Sequence, residues 1–229
     1  MELATGRKRL KFAKFYKANL SKLSHAAYAM KGISSSLKRF IFPIAIFALP
    51  TLVQAHPGPV GHTHGFTNGL MHPLTGLDHI LTMIAVGIWA AQRGGRALWS
   101  VPLAFISVMT IGGIFGMAGI GHIPFIEQGI AASVLVLGIF IATAARLPLS
   151  ASISIVGLFA FFHGFAHGAE MPATASGLFY GIGFILATAG LHLCGIGLGI
   201  TAQRFSSQKM VRYAGGAIAA CGVVLFFIA

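Results

Sequence analysis

Between residues 40 and 229 the chain carries only six Lys and Arg and three acids, Asp78, Glu127 and Glu170. So little charge cannot keep a soluble domain of this size in water, and a mean hydropathy of +0.83 agrees. The apolar residues gather into six stretches close to the ~20 residues that a bilayer core requires. They fall near 73–92, 97–119, 126–145, 149–168, 175–202 and 210–228. The fold class expected is all-α: a polytopic membrane helix bundle of six transmembrane helices with short connections and alternating direction. Small-xxx-small pairs (Gly112 and Gly116, Gly177 and Gly181, Gly195 and Gly199) are expected to let helix backbones approach closely.

The net charge of +12 is an N-terminal property, because ten of the sixteen Lys and Arg lie in residues 1–39. That distribution, with no later basic patch, argues against nucleic-acid binding. The basic stretch precedes an apolar run, FIFPIAIFALPTLV, too short and too rich in proline for a retained span. Val53-Gln54-Ala55 then offers a cleavage site, so a signal peptide is expected, with Met30 as an alternative start of more ordinary length. The chain divides on this reading into a leader and signal at 1–55, a His-rich extracytoplasmic tail at 56–71, and a six-helix transmembrane domain at 72–229. With the mature N-terminus outside, Arg93, Arg96, Arg146, Arg204, Lys209 and Arg212 all fall in inner loops, a positive-inside pattern for a bacterial-type inner membrane. Cys194 and Cys221 lie in apolar runs and form no C-x-x-C, so neither a disulfide framework nor a zinc motif is expected.

Histidines and acids inside such spans face the bundle interior or water, since a charge in hydrocarbon is costly. The first group is HPLTGLDHILTM at 72–83. If helix runs through Pro73, then His72, His79 and Met83 share a face and Asp78 lies ~100° to the side. Pro73 and Gly76 favour a sharp or partly open helix start there. Imidazole with carboxylate suits Ni, Co, Zn or Cu, whereas Ca or Mg would want more oxygen. The second group is FHGFAHGAE, where His163, His167 and Glu170 are spaced i, i+4, i+7 along one face. It is not the protease H-E-x-x-H, for no acid stands between the histidines. A third, looser set is His56, His62 and His64 in the tail, a metal-capturing arm, with His192 alone inside the fifth span. His122 and Glu127 flank the third span, where Glu127 suits a helix N-terminus.

With these residues in view the chain resembles the HupE/UreJ family of nickel and cobalt permeases. The segment 72–92, HPLTGLDHILTMIAVGIWAAQ, follows the family form HPxxGxDHxLxMxxVG, and FHGFAHGAE and IEQGIAASVLVLG (126–138) support it. The resemblance implies uptake of Ni²⁺ or Co²⁺, with His72, Asp78 and His79, and then His163, His167 and Glu170, as ligands. The ion would bind transiently, with no prosthetic group, and the bilayer is the other partner implied. The residues by themselves leave other readings open: a membrane metalloenzyme, a haem protein with axial histidines, or an accessory subunit. They are also silent on the choice of Ni²⁺ or Co²⁺, on proton coupling and on whether a homo-oligomer forms. No Walker A motif is present, so a secondary permease is expected.

Overall fold

The computed structural model describes residues 63–121, 123–172, 175–205 and 208–229. The leader reading, His56, His62 and His122 lie outside these residues, and of His64 only the backbone is described. The regular structure is helical throughout: α1 (Thr63–Met71), a 3-10 turn (His72–Leu74), α2 (Leu77–Arg93), α3 (Ala97–Met117), α4 (Ile126–Thr143), α5 (Leu149–Ala169), α6 (Gly177–Phe205) and α7 (Gln208–Ile228). Helices α3 to α7 are each long and apolar enough to cross a membrane. The segment through α1 and α2 makes a sixth span only as a broken one, bent by 78°. Leu103, Leu158, Leu186, Leu193 and Phe227 point outward, as lipid-facing residues do, and so do the free thiols Cys194 and Cys221. The chain is a multi-pass membrane protein.

The break falls between Pro73 and Gly76, where a sharp helix start was expected, and helix does not run through Pro73. Pro73 has no N–H to continue an α-helical ladder, and the chain tightens into the 3-10 turn instead. Thr75 closes it, donating its N–H (3.1 Å) and its hydroxyl (2.7 Å) to the His72 carbonyl. Gly76 is then extended (φ −93°, ψ 124°) and α2 starts afresh. The last part of the 56–71 segment is helix α1. Phe66 and, one turn further on α1, Gly69 and Leu70 meet α6. A Cβ at Gly69 would strike the Tyr180 carbonyl, and one at Gly183 the Phe66 carbonyl.

Three close pairs build the rest: α3 on α5, α4 on α7, and α2 on α6. In the first, Gly112 and Gly116 lie on the Phe161 and Phe165 carbonyls, while Gly164 and Gly168 lie on those of Met109 and Gly113. In the third, Gly87 meets the His192 carbonyl and Gly195 meets that of Ile84. Gly177 and Gly181 depart from the expected pattern: Gly177 packs on methionine sulphur, and Gly181 borders a cavity with no atom in reach.

One end of the bundle is tied by hydrogen bonds. Trp89 Nε1 donates to the Ala145 carbonyl (3.1 Å), Arg93 to Ser152 Oγ (2.7 Å), and Arg212 Nε to the Ala142 carbonyl (2.6 Å). The helix ends and connections at this end hold every Lys and Arg of the described residues. The acids stand at the other end: Asp78 and Glu127 in the first turns of α2 and α4, Glu170 just past α5.

Candidate metal site

The acidic end gathers the two histidine motifs into one cluster. His163 and His167 project from the inner face of α5, one turn apart, where the glycines that follow each of them admit α3. The restart of α2 at Gly76 places His79 opposite them, with ring centroids 4.5 Å from His163 and 4.0 Å from His167. All three imidazoles are buried.

The hydrogen-bond network assigns the protons. Ser133 Oγ has one hydrogen, donated to the Ile130 carbonyl (2.6 Å), so it accepts from Thr82 Oγ1 (2.8 Å) and from His163 Nε2–H (2.9 Å). His163 Nδ1 therefore keeps its lone pair, and it has no hydrogen-bond partner. Asp78 Oδ1 accepts the His79 backbone N–H (2.8 Å) and faces His79 Nδ1 (2.8 Å). That fixes the proton on Nδ1 and leaves the Nε2 lone pair of His79 turned toward His167 Nε2, its hydrogen-bond-range neighbour. His167 presents its other nitrogen, Nδ1, to Glu170 Oε2 at 3.5 Å, and the same oxygen lies 3.3 Å from His72 Nε2. A His79 lone pair facing a nitrogen of the His167 ring calls for a proton or a metal ion between the two.

Two sets of ligand atoms result, each lying within 4.8 Å of one another: His79, His163 and His167, and His72, His167 and Glu170. They share His167. Side-chain exposure falls along them from 55% at Glu170 to 32% at His72 and 7% at His167. Glu170, outside the spans, is held below the ordinary carboxylate range by the nearby His167 and His72 imidazoles, against the opposing effect of burial. Phe184 closes one side, 4.8 Å from the His167 ring, and Tyr180 lies 6.0 Å from that of His72. Imidazoles with one carboxylate and open positions are the donor set of late first-row divalent ions.

The sequence reading and the structure differ in how they distribute these residues. Helix through Pro73 would have put His72 on one face with His79. It sits instead on the 3-10 turn and joins Glu170, while His167 moves inward. Asp78 stands behind His79 and supports it, outside both ligand sets. His192 is buried on α6 beside Phe105 and also outside both sets. Ser133 and Thr82 were missed, although a hydroxyl in an apolar span is a signal. Glu127 is exposed at the same end, within electrostatic reach of Glu170, Asp78 and His79.

The chain matches the family described as HupE / UreJ protein across residues 44–225. It is 43% identical over 182 residues to "Protein HupE" of Rhizobium leguminosarum bv. viciae, an alignment covering 80% of this chain and 94% of that protein. No solved structure matches it.

Proposed function

The chain belongs to the HupE/UreJ family, and on that premise we propose that it is a secondary permease for a divalent transition-metal ion, Ni²⁺ with Co²⁺ as its competitor. The observation that carries the reading is the pair of ligand sets joined at His167, one open to the surface and one buried. A resident structural metal would be held by a closed set of four ligands. A cargo ion needs a route in, and here the two sets meet at one residue, His167, whose two ring nitrogens face one set each.

The basic end is cytoplasmic on the positive-inside rule, so Glu170 and His72 face outside. Glu170 attracts the hydrated ion, and His72 and His167 begin to replace its water. The ion then passes to His79 and His163, whose lone pairs Asp78 and Ser133 have already oriented. His56, His62 and His64 extend this reading as a collecting arm ahead of Glu170. Toward the basic end Trp89, Val101, Leu137 and Ile141 are fully buried, so the path is shut there. A carrier that alternates its access fits this closure better than an open channel. Two charges moving toward an inside-negative compartment gain about 4.6 kcal/mol per 100 mV (twice ~2.3), enough to drive accumulation without a nucleotide.

The test is reconstitution of the chain alone into liposomes with an imposed inside-negative potential. Nickel-63 should accumulate, cobalt should compete, and His79→Ala should abolish uptake. Liposomes that take up no more nickel than protein-free ones would remove the reading.

A further inference from the structure

Beyond the cluster, two residue pairs face each other across the seam between α3 and α6. Phe105 and Met109 lie one turn apart on α3, and Thr188 and His192 one turn apart on α6, the spacing that makes helical neighbours. The Phe105 ring stands 5.1 Å from the His192 ring, edge to face, and Thr188 Oγ1 donates to Met109 Sδ at 3.7 Å. All four are buried, His192 at 1% exposure, yet neither nitrogen of its ring has a hydrogen-bond partner. Buried polar groups are ordinarily paired, so an imidazole left bare on both nitrogens asks for a ligand.

Its place in the fold says which ligand. His192 lies twelve residues beyond Tyr180, ~18 Å further along α6, which is near the middle of a ~30 Å hydrocarbon core. A cavity of about 60 Å³ lies beside the outer cluster, lined by His167, Tyr180, Phe184 and Met109 among others. Met109 thus borders the cavity on one side and holds Thr188 on the other. Phe105 stands between the two histidine levels, its ring 5.7 Å from that of His163 and 5.1 Å from that of His192.

We propose that His192, with the Thr188 hydroxyl and the Met109 thioether, is a second and deeper station for the divalent ion, divided from the outer cluster by the Phe105 ring. Imidazole and thioether together select late first-row metals over Mg²⁺ or Ca²⁺. The aromatic face gives a passing cation an attractive surface that does not bind it tightly. The ion leaves the three imidazoles of the outer cluster for a set with one imidazole, so the deeper station holds it less strongly and lets it go onward. The inference rests on the transport reading and adds an order of events to it.

The test compares His192→Leu and His192→Gln with the parent, each purified and reconstituted. Nickel-63 uptake and the nickel-induced rise in melting temperature are measured on the same preparations. The expected result is an unchanged thermal response, since the outer cluster is intact, with uptake reduced at least about tenfold in His192→Leu. The glutamine variant, whose amide oxygen still ligates, should fall between. Parental uptake in His192→Leu overturns the inference, as does equal loss of folding in both variants, which would make His192 a packing residue. The unsubstituted chain gives an independent answer: crystals soaked in nickel chloride should show anomalous density bonded to a His192 nitrogen, and density confined to the outer cluster at saturating nickel overturns it. A parent that neither binds nor moves nickel removes the transport reading as well, so the two failures are told apart.

Discussion

Replacing Asp78 by Asn keeps the shape of the side chain and removes its charge. In the parent a single carboxylate oxygen accepts the His79 backbone N–H and faces its Nδ1, both at 2.8 Å. The amide oxygen of Asn can occupy the same place, so the ring stays oriented. What is lost is the negative charge that makes His79 Nε2 a better donor to the ion. Loss of such an outer partner costs roughly 10- to 100-fold in metal affinity, or about 1.4 to 2.8 kcal/mol. Asn at the start of α2 also interacts less well with the helix dipole, by ~0.3–1 kcal/mol, so the melting temperature should drop only slightly. The assay is nickel-63 uptake into liposomes across a range of nickel concentrations. The half-saturating concentration should rise by roughly one to two orders of magnitude, and Asp78→Ala, which also frees the ring to turn, should be worse. Uptake by Asp78→Asn equal to the parent at all concentrations would refute the supporting role. A loss in Asp78→Asn as complete as that in His79→Ala would show instead that the carboxylate binds the ion itself.

Ser133→Ala removes the oxygen that both Thr82 and His163 Nε2 use, leaving two buried groups unpaired at ~1–3 kcal/mol each. Thermal melting should detect the loss, and Ser133→Thr should restore most of it. Gly164→Ala places a methyl on the Met109 carbonyl, and forcing α3 from α5 should lower stability by ~1–3 kcal/mol with reduced nickel binding. Glu170 is held below the ordinary carboxylate range, so its part in capturing the ion should persist through mildly acid pH and be lost only as the pH falls below that range of ~4.3. Nickel-63 uptake measured against pH should show that acid step in the parent and lack it in Glu170→Gln.

The sequence makes the spans legible because hydropathy over ~20 residues is a local property that neighbouring helices do not change. It makes the chemistry of the site legible for the same reason: acids and histidines are conspicuous in apolar runs. What it conceals is pairing. Nothing in 72–83 or 162–170 says that His167 meets His79, since that contact depends on how α2 and α5 pack. The break at Gly76 was half visible, because Pro73 forbids a continuous ladder but does not say where the chain turns. Helix α1 was hidden by composition, for THGFTNGLM is short and polar, and only its apposition to α6 shows that Phe66, Gly69 and Leu70 form a face. The glycine pairs were legible as small residues but not as contacts: Gly112 and Gly116 meet a carbonyl row, whereas Gly181 borders empty space.

The shared histidine bears on a constraint that every carrier of a tightly bound ion must meet. A site that satisfies a transition metal with four protein ligands holds it with roughly 10–16 kcal/mol, as structural zinc sites do, and releases it too slowly for turnover. A site with only one ligand would not strip the water that selects a metal from calcium. On the proposed route, two three-member sets that meet at His167 answer both demands, because the ion passes from one partial set to the next through one shared residue. The answer works only if His167 addresses both sets, its Nδ1 toward Glu170 and its Nε2 toward His79, as it does. His167→Ala should therefore cost more uptake than loss of His72 or His163, each of which belongs to one set. If nickel-63 uptake ranks His72→Ala below His167→Ala, the ion reaches the buried imidazoles by a route that does not pass through the shared residue.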